Sequence, residues 1–145
     1  IKLHMIGKLQ TNKVKFAVQI FDYIHSVDSK KLAKKIADEQ IKINKRVKIF
    51  LQVNIADESQ KSGISKKDLQ QLVSYCREIG LDLIGLMCIP PINDDPEGYF
   101  QEMKQLNNNF GFDELSMGMS SDFLLAAKYF ATYIRVGSSI FGQRS

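Results

Sequence analysis

Apolar runs and amphipathic stretches take turns along this chain. Leu3 to Ile6 reads as a short strand, and a helix is expected near Asn12 to Ile20. Tyr23 to Val27 is a second strand. A lysine-rich helix should follow to about Asn44, with Asp28 or Ser29 as its N-cap and Leu32, Ile36 and Ile43 on its inner face. Val47 to Ile55 is β-branched and nearly continuous in apolar residues, the pattern of a strand covered on both faces. Ser65 and Asp68 stand three apart, a capping-box variant, ahead of the stripe Leu69, Leu72, Val73, Cys76 and Ile79 that Gly80 closes. Leu83 to Ile89 is the fourth strand and ends at Pro90-Pro91. Pro96 suits a first helical turn, and Phe100, Met103, Leu106 and Phe110 carry that helix to Gly111. Glu114 to Met117 is the fifth strand. Ser120 or Ser121 is expected to cap a helix through Phe130, and Tyr133 to Val136 is the sixth strand.

Six strands alternating with five helices imply a parallel sheet. The units begin roughly 20 to 35 residues apart, the size of a (β/α)-barrel unit. An open doubly wound sheet is the alternative, but Gly-x-Gly-x-x-Gly is absent and the small-residue breaks follow the last two strands. A phosphate site after strands seven and eight is a barrel habit. The expectation is therefore an α/β fold, a (β/α)8 TIM-type barrel with about six of its eight βα units present, as one domain over residues 1–145. The units lacking are the first two. The two inner strand edges would then be unpaired, and the start at Ile1 fits a piece of a longer polypeptide.

Charge changes this picture little. The net charge is +4, while residues 30–48 hold eight basic side chains against Asp38 and Glu39, so this segment is +6 and the remainder −2. The lysines occupy the outer face of a helix and bring no aromatics, so a solvated face is favoured over a polyanion contact, and no nucleic-acid partner is expected. No apolar run approaches the ~20 residues that span a bilayer, so no membrane partner is expected and the cytoplasm is the expected location. Cys76 and Cys88 read as two buried thiols.

The chemistry concentrates in two breaks. Leu115-Ser116-Met117-Gly118-Met119-Ser120-Ser121-Asp122 and Tyr133-Ile134-Arg135-Val136-Gly137-Ser138 each run from a strand into small residues. Small residues let backbone N–H groups approach an anion, and a helix N-terminus favours negative charge. Together they read as a phosphate cup with Arg135 inside the second strand. His4 lies in an apolar strand, and Ser26 and Asn54 lie near C-terminal strand ends; each is weighed as a cofactor-mouth contact against a core, cap or turn role. His25 resembles His4. Asp28 is read as a helix cap. No metal site is expected, because the histidines lack partners at ligand spacing. Ser120 is no nucleophile, because a Gly-x-Ser-x-Gly elbow is absent.

These residues, in order, resemble the pyridoxal-phosphate homeostasis protein family, whose barrel is similar to the N-terminal domain of alanine racemase. The carriers are residues 4–13 (His4-Met5-Ile6-Gly7-Lys8-Leu9-Gln10-Thr11-Asn12-Lys13), His25-Ser26-Val27-Asp28-Ser29, Val53-Asn54-Ile55 with Lys61-Ser62-Gly63-Ile64, Leu83-Ile84-Gly85-Leu86-Met87, and the two breaks above through Phe141-Gly142. The resemblance implies a carrier or regulator of pyridoxal 5′-phosphate (PLP) without strong catalysis of its own, a monomer or weak homodimer, with apo PLP-dependent enzymes as partners. Met119, Ser120, Gly137 and Ser138 would bind the phosphate. Arg135 would face the pyridine nitrogen and, as a donor only, keep it unprotonated. The family's cofactor-bearing lysine would lie before Ile1, and neither Lys8, Lys13 nor Lys61 matches it. The alternatives are a PLP-dependent racemase or decarboxylase, which the missing second domain disfavours, and a barrel using the cup for another phosphorylated metabolite.

Overall fold

A computed structural model describes residues 1–59 and 62–144. Six strands, β1 (His4–Met5), β2 (Tyr23–Val27), β3 (Lys48–Gln52), β4 (Asp82–Met87), β5 (Glu114–Met119) and β6 (Tyr133–Arg135), pair in chain order. All five pairings are parallel. The connections are α1 (Val14–Ile20), α2 (Lys30–Lys42), α3 (Lys66–Glu78), α4 (Glu97–Asn109) and α5 (Phe123–Lys128), and a short α6 (Ser138–Phe141) follows β6. The sheet is curled. Six flat strands would hold β1 and β6 about 24 Å apart, at about 4.8 Å per step. Instead the Tyr133 ring of β6 lies 5.6 Å from the His4 ring of β1 and 5.7 Å from that of Tyr23. The result is a half-barrel with a helix-covered outside and a concave inside.

Period-2 alternation sorts the strand residues between these sides, except across the β2 irregularity between Ile24 and Val27, which puts both on the same side. Ile24, Val27, Ile49, Leu51, Leu86, Cys88, Leu115 and Met117 pack with Leu32, Ile36, Leu69, Leu72, Phe100 and Met103 of the helices. Two buried amides tie the layers together. Gln40 Oε1 accepts from the Val47 N–H, and Asn107 accepts from the Leu86 N–H while donating to the Phe112 and Glu114 carbonyls. Each answers a backbone group that would otherwise be buried without a partner.

Several element ends differ from expectation, for local reasons. Ser29 caps α2, its hydroxyl accepting from the Leu32 N–H at 3.1 Å. Asp28 is no cap; its carboxylate accepts from the Gly63 N–H across the sheet end. The helix stops at Lys42, so Ile43 lies past it and is 40% exposed instead of lining the inner face. At α3 the capping box does not form. The Ser65 hydroxyl donates to the Asp68 carboxylate at 2.8 Å and makes no bond to the helix amides. β3 and β4 stop at Gln52 and Met87, short of Ile55 and Ile89, because the chain turns off into the βα loops there. β5 is longer than expected and α5 shorter, with Asp122 and not a serine at its N-cap position.

Gly85 decides how closely β4 and β5 approach. It pairs with Glu114 in register, and a Cβ there would overlap the Glu114 carbonyl oxygen and sit 3.1 Å from Phe50 Cε1. Gly85→Ala is expected to lower stability by about 3 kcal/mol, the scale of overpacking in a closed core. Gly98→Ala, where a Cβ meets open space in α4, should raise it by about 0.5 kcal/mol. Urea unfolding of the two variants checks this; equal midpoints would refute the close-approach argument.

Candidate functional site

Parallel pairing sends the loops after β5 and β6 out of the same end of the sheet, side by side. Ser116 stands opposite Tyr133 and Met119 opposite Arg135, so the register shifts between these pairs and β5 bulges. Gly118 occupies the bulge at φ +105, where a Cβ would stand 2.7 Å from Ala126 Cβ. Past the bulge, Ser120 turns toward the neighbouring loop. Its Oγ accepts from the Gly137 N–H at 3.1 Å and the Ser139 N–H at 3.4 Å. Two amides thus converge on one oxygen, the arrangement that receives an anion oxygen. This is why Ser120 does not cap α5. Ser138 is the first residue of α6. The Met119 N–H is engaged by the Asp122 carboxylate at 2.7 Å, so its amide is already committed.

Arg135, the last residue of β6, is only 9% exposed. Its Nη2 donates to the Cys88 carbonyl at 2.8 Å and its Nη1 to Ser116 Oγ at 3.4 Å. Its Nε is buried without a partner. No carboxylate lies within ion-pair distance of the guanidinium among the described residues. Burial pushes its pKa down from the usual arginine value. A buried cation with a spare donor costs stability until an acceptor or anion arrives.

Inside the curve the polar groups continue. His25 Nδ1 lies 2.8 Å from Ser116 Oγ, and His25 Nε2 lies 3.0 Å from His4 Nδ1. His25 stacks on Phe50 at 4.3 Å between centroids and His4 on Tyr23 at 4.1 Å. Burial, then the neighbouring His4 and Arg135, take the His25 pKa down to about 3. Burial also lowers that of His4, against the pull of Asp22.

The expected site residues therefore divide. Ser120, Arg135, Gly137 and Ser138 come together, with Met119 beside them. His4 lies across the concave face and reaches Arg135 only through His25 and Ser116. Ser26 is buried on β2 with an Oγ that has no partner. Asn54 is committed to a turn, its amide donating to the Glu58 carbonyl and accepting from the Glu58 N–H. Lys61 lies outside the described residues. Ser116 and Ser139 were not anticipated. A lone serine in the apolar run Leu115–Met117 was the available signal for Ser116. Cys76 and Cys88 are free and buried, as expected, and burial takes both thiols up to about 12.

The family described as alanine racemase, N-terminal domain, matches residues 2–145. The chain is 37% identical over 154 residues to a pyridoxal phosphate homeostasis protein of Aquifex aeolicus, covering 99% of this chain and 68% of that protein. To the protein of the same name from Escherichia coli K12 it is 33% identical over 153 residues, covering 99% and 65%. The chain thus spans about two thirds of the length of these relatives. Among solved structures it is similar to PipY of Synechococcus elongatus with PLP bound, at a TM-score of 0.89 and 33% identity, covering 98% of this chain and 71% of that one. Alanine racemase of Clostridium difficile shares the fold at a TM-score of 0.76 and 12% identity, over 99% of this chain and 40% of that one.

The depressed pKa of His25 has a sign that can be checked. Between pH 6.5 and about 3 the unfolded chain binds a proton that the folded chain refuses. Stability from His25 is therefore complete above pH 6.5 and falls as the pH drops below it, with a slope approaching about 1.4 kcal/mol per pH unit. Denaturant midpoints should fall from pH 7 to pH 5, and His25→Phe should flatten that fall. An unchanged slope in the variant would refute a neutral buried His25.

Proposed function

The chain belongs to the alanine racemase N-terminal domain family, among the pyridoxal phosphate homeostasis proteins, and from that premise we propose that it binds PLP at the loops after β5 and β6. The observation that carries this reading is the buried Arg135 guanidinium, with no carboxylate partner and an unused Nε among the described residues, beside the convergent amides of the β6 loop. When bound, PLP supplies an amine-reactive aldehyde and an electron-withdrawing ring.

The residues divide the work between the two ends of such a ligand. Gly137 and Ser139 would turn their N–H groups from Ser120 Oγ to a phosphate, and Ser120 and Ser138 would add hydroxyls. Arg135 offers Nε to the pyridine nitrogen. A guanidinium donates and cannot accept, so a nitrogen facing it stays unprotonated and the ring draws electrons weakly. That suits holding the cofactor more than driving carbanion chemistry on it. Ser26, with its unpartnered Oγ, is a further contact; His4, bonded through Nδ1 to His25, and Asn54, whose amide is bonded to Glu58, are the weaker candidates. Handing PLP on to apo PLP-dependent enzymes inside the cell is the partner role this reading assigns.

PLP titration followed by absorbance tests these roles. The double variant Ser120→Ala with Ser138→Ala should weaken binding on the order of 30-fold, two hydrogen bonds at about 1 kcal/mol each. Arg135→Gln should change the spectrum of bound PLP more than its affinity. Equal affinity losses from both would overturn the assignment. No spectral change with PLP, alongside equal binding of unrelated phosphorylated metabolites, would overturn the cofactor.

A further inference from the structure

Four side chains from four strands form one continuous hydrogen-bond line across the concave face: Arg135 on β6, Ser116 on β5, His25 on β2 and His4 on β1. Their chemistry gives the line a direction. Arg135 can only donate, so Ser116 Oγ accepts from Nη1. The Ser116 hydroxyl proton then goes to His25 Nδ1, and His25 Nε2–H donates to His4 Nδ1. This order gives every bonding proton an acceptor. The reverse order points two donors at Ser116 Oγ and leaves its own proton without a partner among these groups. The rings cannot readily turn away, because His25 is stacked on Phe50 and edged by Tyr133, and His4 lies flat on Tyr23 at an interplanar angle of 11°.

We propose that Ser116 and His25, backed by His4, are positioning residues that fix the Arg135 guanidinium, with one N–H each of Nη1 and Nη2 engaged and the Nε–H held free of a protein acceptor among the described residues, for the ligand. The line works only with neutral rings. An imidazolium donates from both nitrogens and would break the order at Ser116 or at His4. The suppressed basicity of both histidines agrees with this. The charged and titratable groups around the line include Arg135, Tyr23 and Tyr133, with Asp22 acting on His4, Asp122 and Cys88 on Arg135, and Lys48 over the Tyr23 ring. The assignment of Nε to a pyridine ring rests on the proposed PLP reading; the direction of the line does not.

Two measurements test it separately. Nitrogen-15 NMR of the ligand-free chain at pH 7 should show His25 neutral and protonated at Nε2 only. An Nδ1–H tautomer or an imidazolium would overturn the line, and this result needs neither a variant nor a ligand. PLP titration of Ser116→Ala should then shift the spectrum of bound PLP while affinity changes less than about threefold, because the phosphate cup is untouched. Ser116→Thr, which keeps the hydroxyl, should restore the wild-type spectrum. A wild-type spectrum in Ser116→Ala would overturn the positioning role. If the unaltered chain gave no spectral change with PLP, the cofactor reading would fall, and with it the purpose assigned to Nε, while the tautomer would still decide the line.

Discussion

Each strand runs the same way as its neighbour, so every βα loop leaves one end of the sheet. This directionality is the constraint on which the site depends. It puts the Ser120 turn beside the Gly137 turn, and it places Arg135 within reach of the carbonyl of Cys88, which follows β4. The curl adds a second consequence. Side chains from the first and last strands meet inside, which no flat sheet of this width permits. A polar line can then cross from β6 to β1 in four residues.

The interior is a compromise between packing and chemistry. Phe50, Tyr23 and Tyr133 provide aromatic bulk, while His4, His25, Ser116 and Arg135 share a low-dielectric space with very few spare partners. Low dielectric strengthens each hydrogen bond and penalises each unmade one. The histidines meet this by staying neutral. Arg135 meets it only partly, because its Nε is buried with no partner among the described residues.

Element type was legible from residue order because hydrophobic period is local. The cap at Ser29 and the stripe of α3 followed from spacing of three and four. Ends were harder. Ser120 has the chemistry of a helix cap, and nothing local says that its hydroxyl will face amides seventeen residues away. Asn54 shows the same limit: its position near a strand end is compatible with a ligand contact or a turn, and only the structure shows its amide bonded to Glu58. Asp28, read as a cap, instead ties β2's end to Gly63.

By itself the sequence determined the alternation of strands and helices, the parallel class, the small-residue loops and the family, since each is written in short-range pattern or in motif order. Tertiary structure alone decided that Ser116 joins Arg135 to two histidines and that Met119 gives its amide to Asp122. It also decided that Arg135 is buried with no carboxylate within ion-pair distance among the described residues. These are contacts between residues up to 91 positions apart. They depend on register, bulge and curl, and a β-bulge at Gly118 re-aims side chains in a way that no count along the chain reveals.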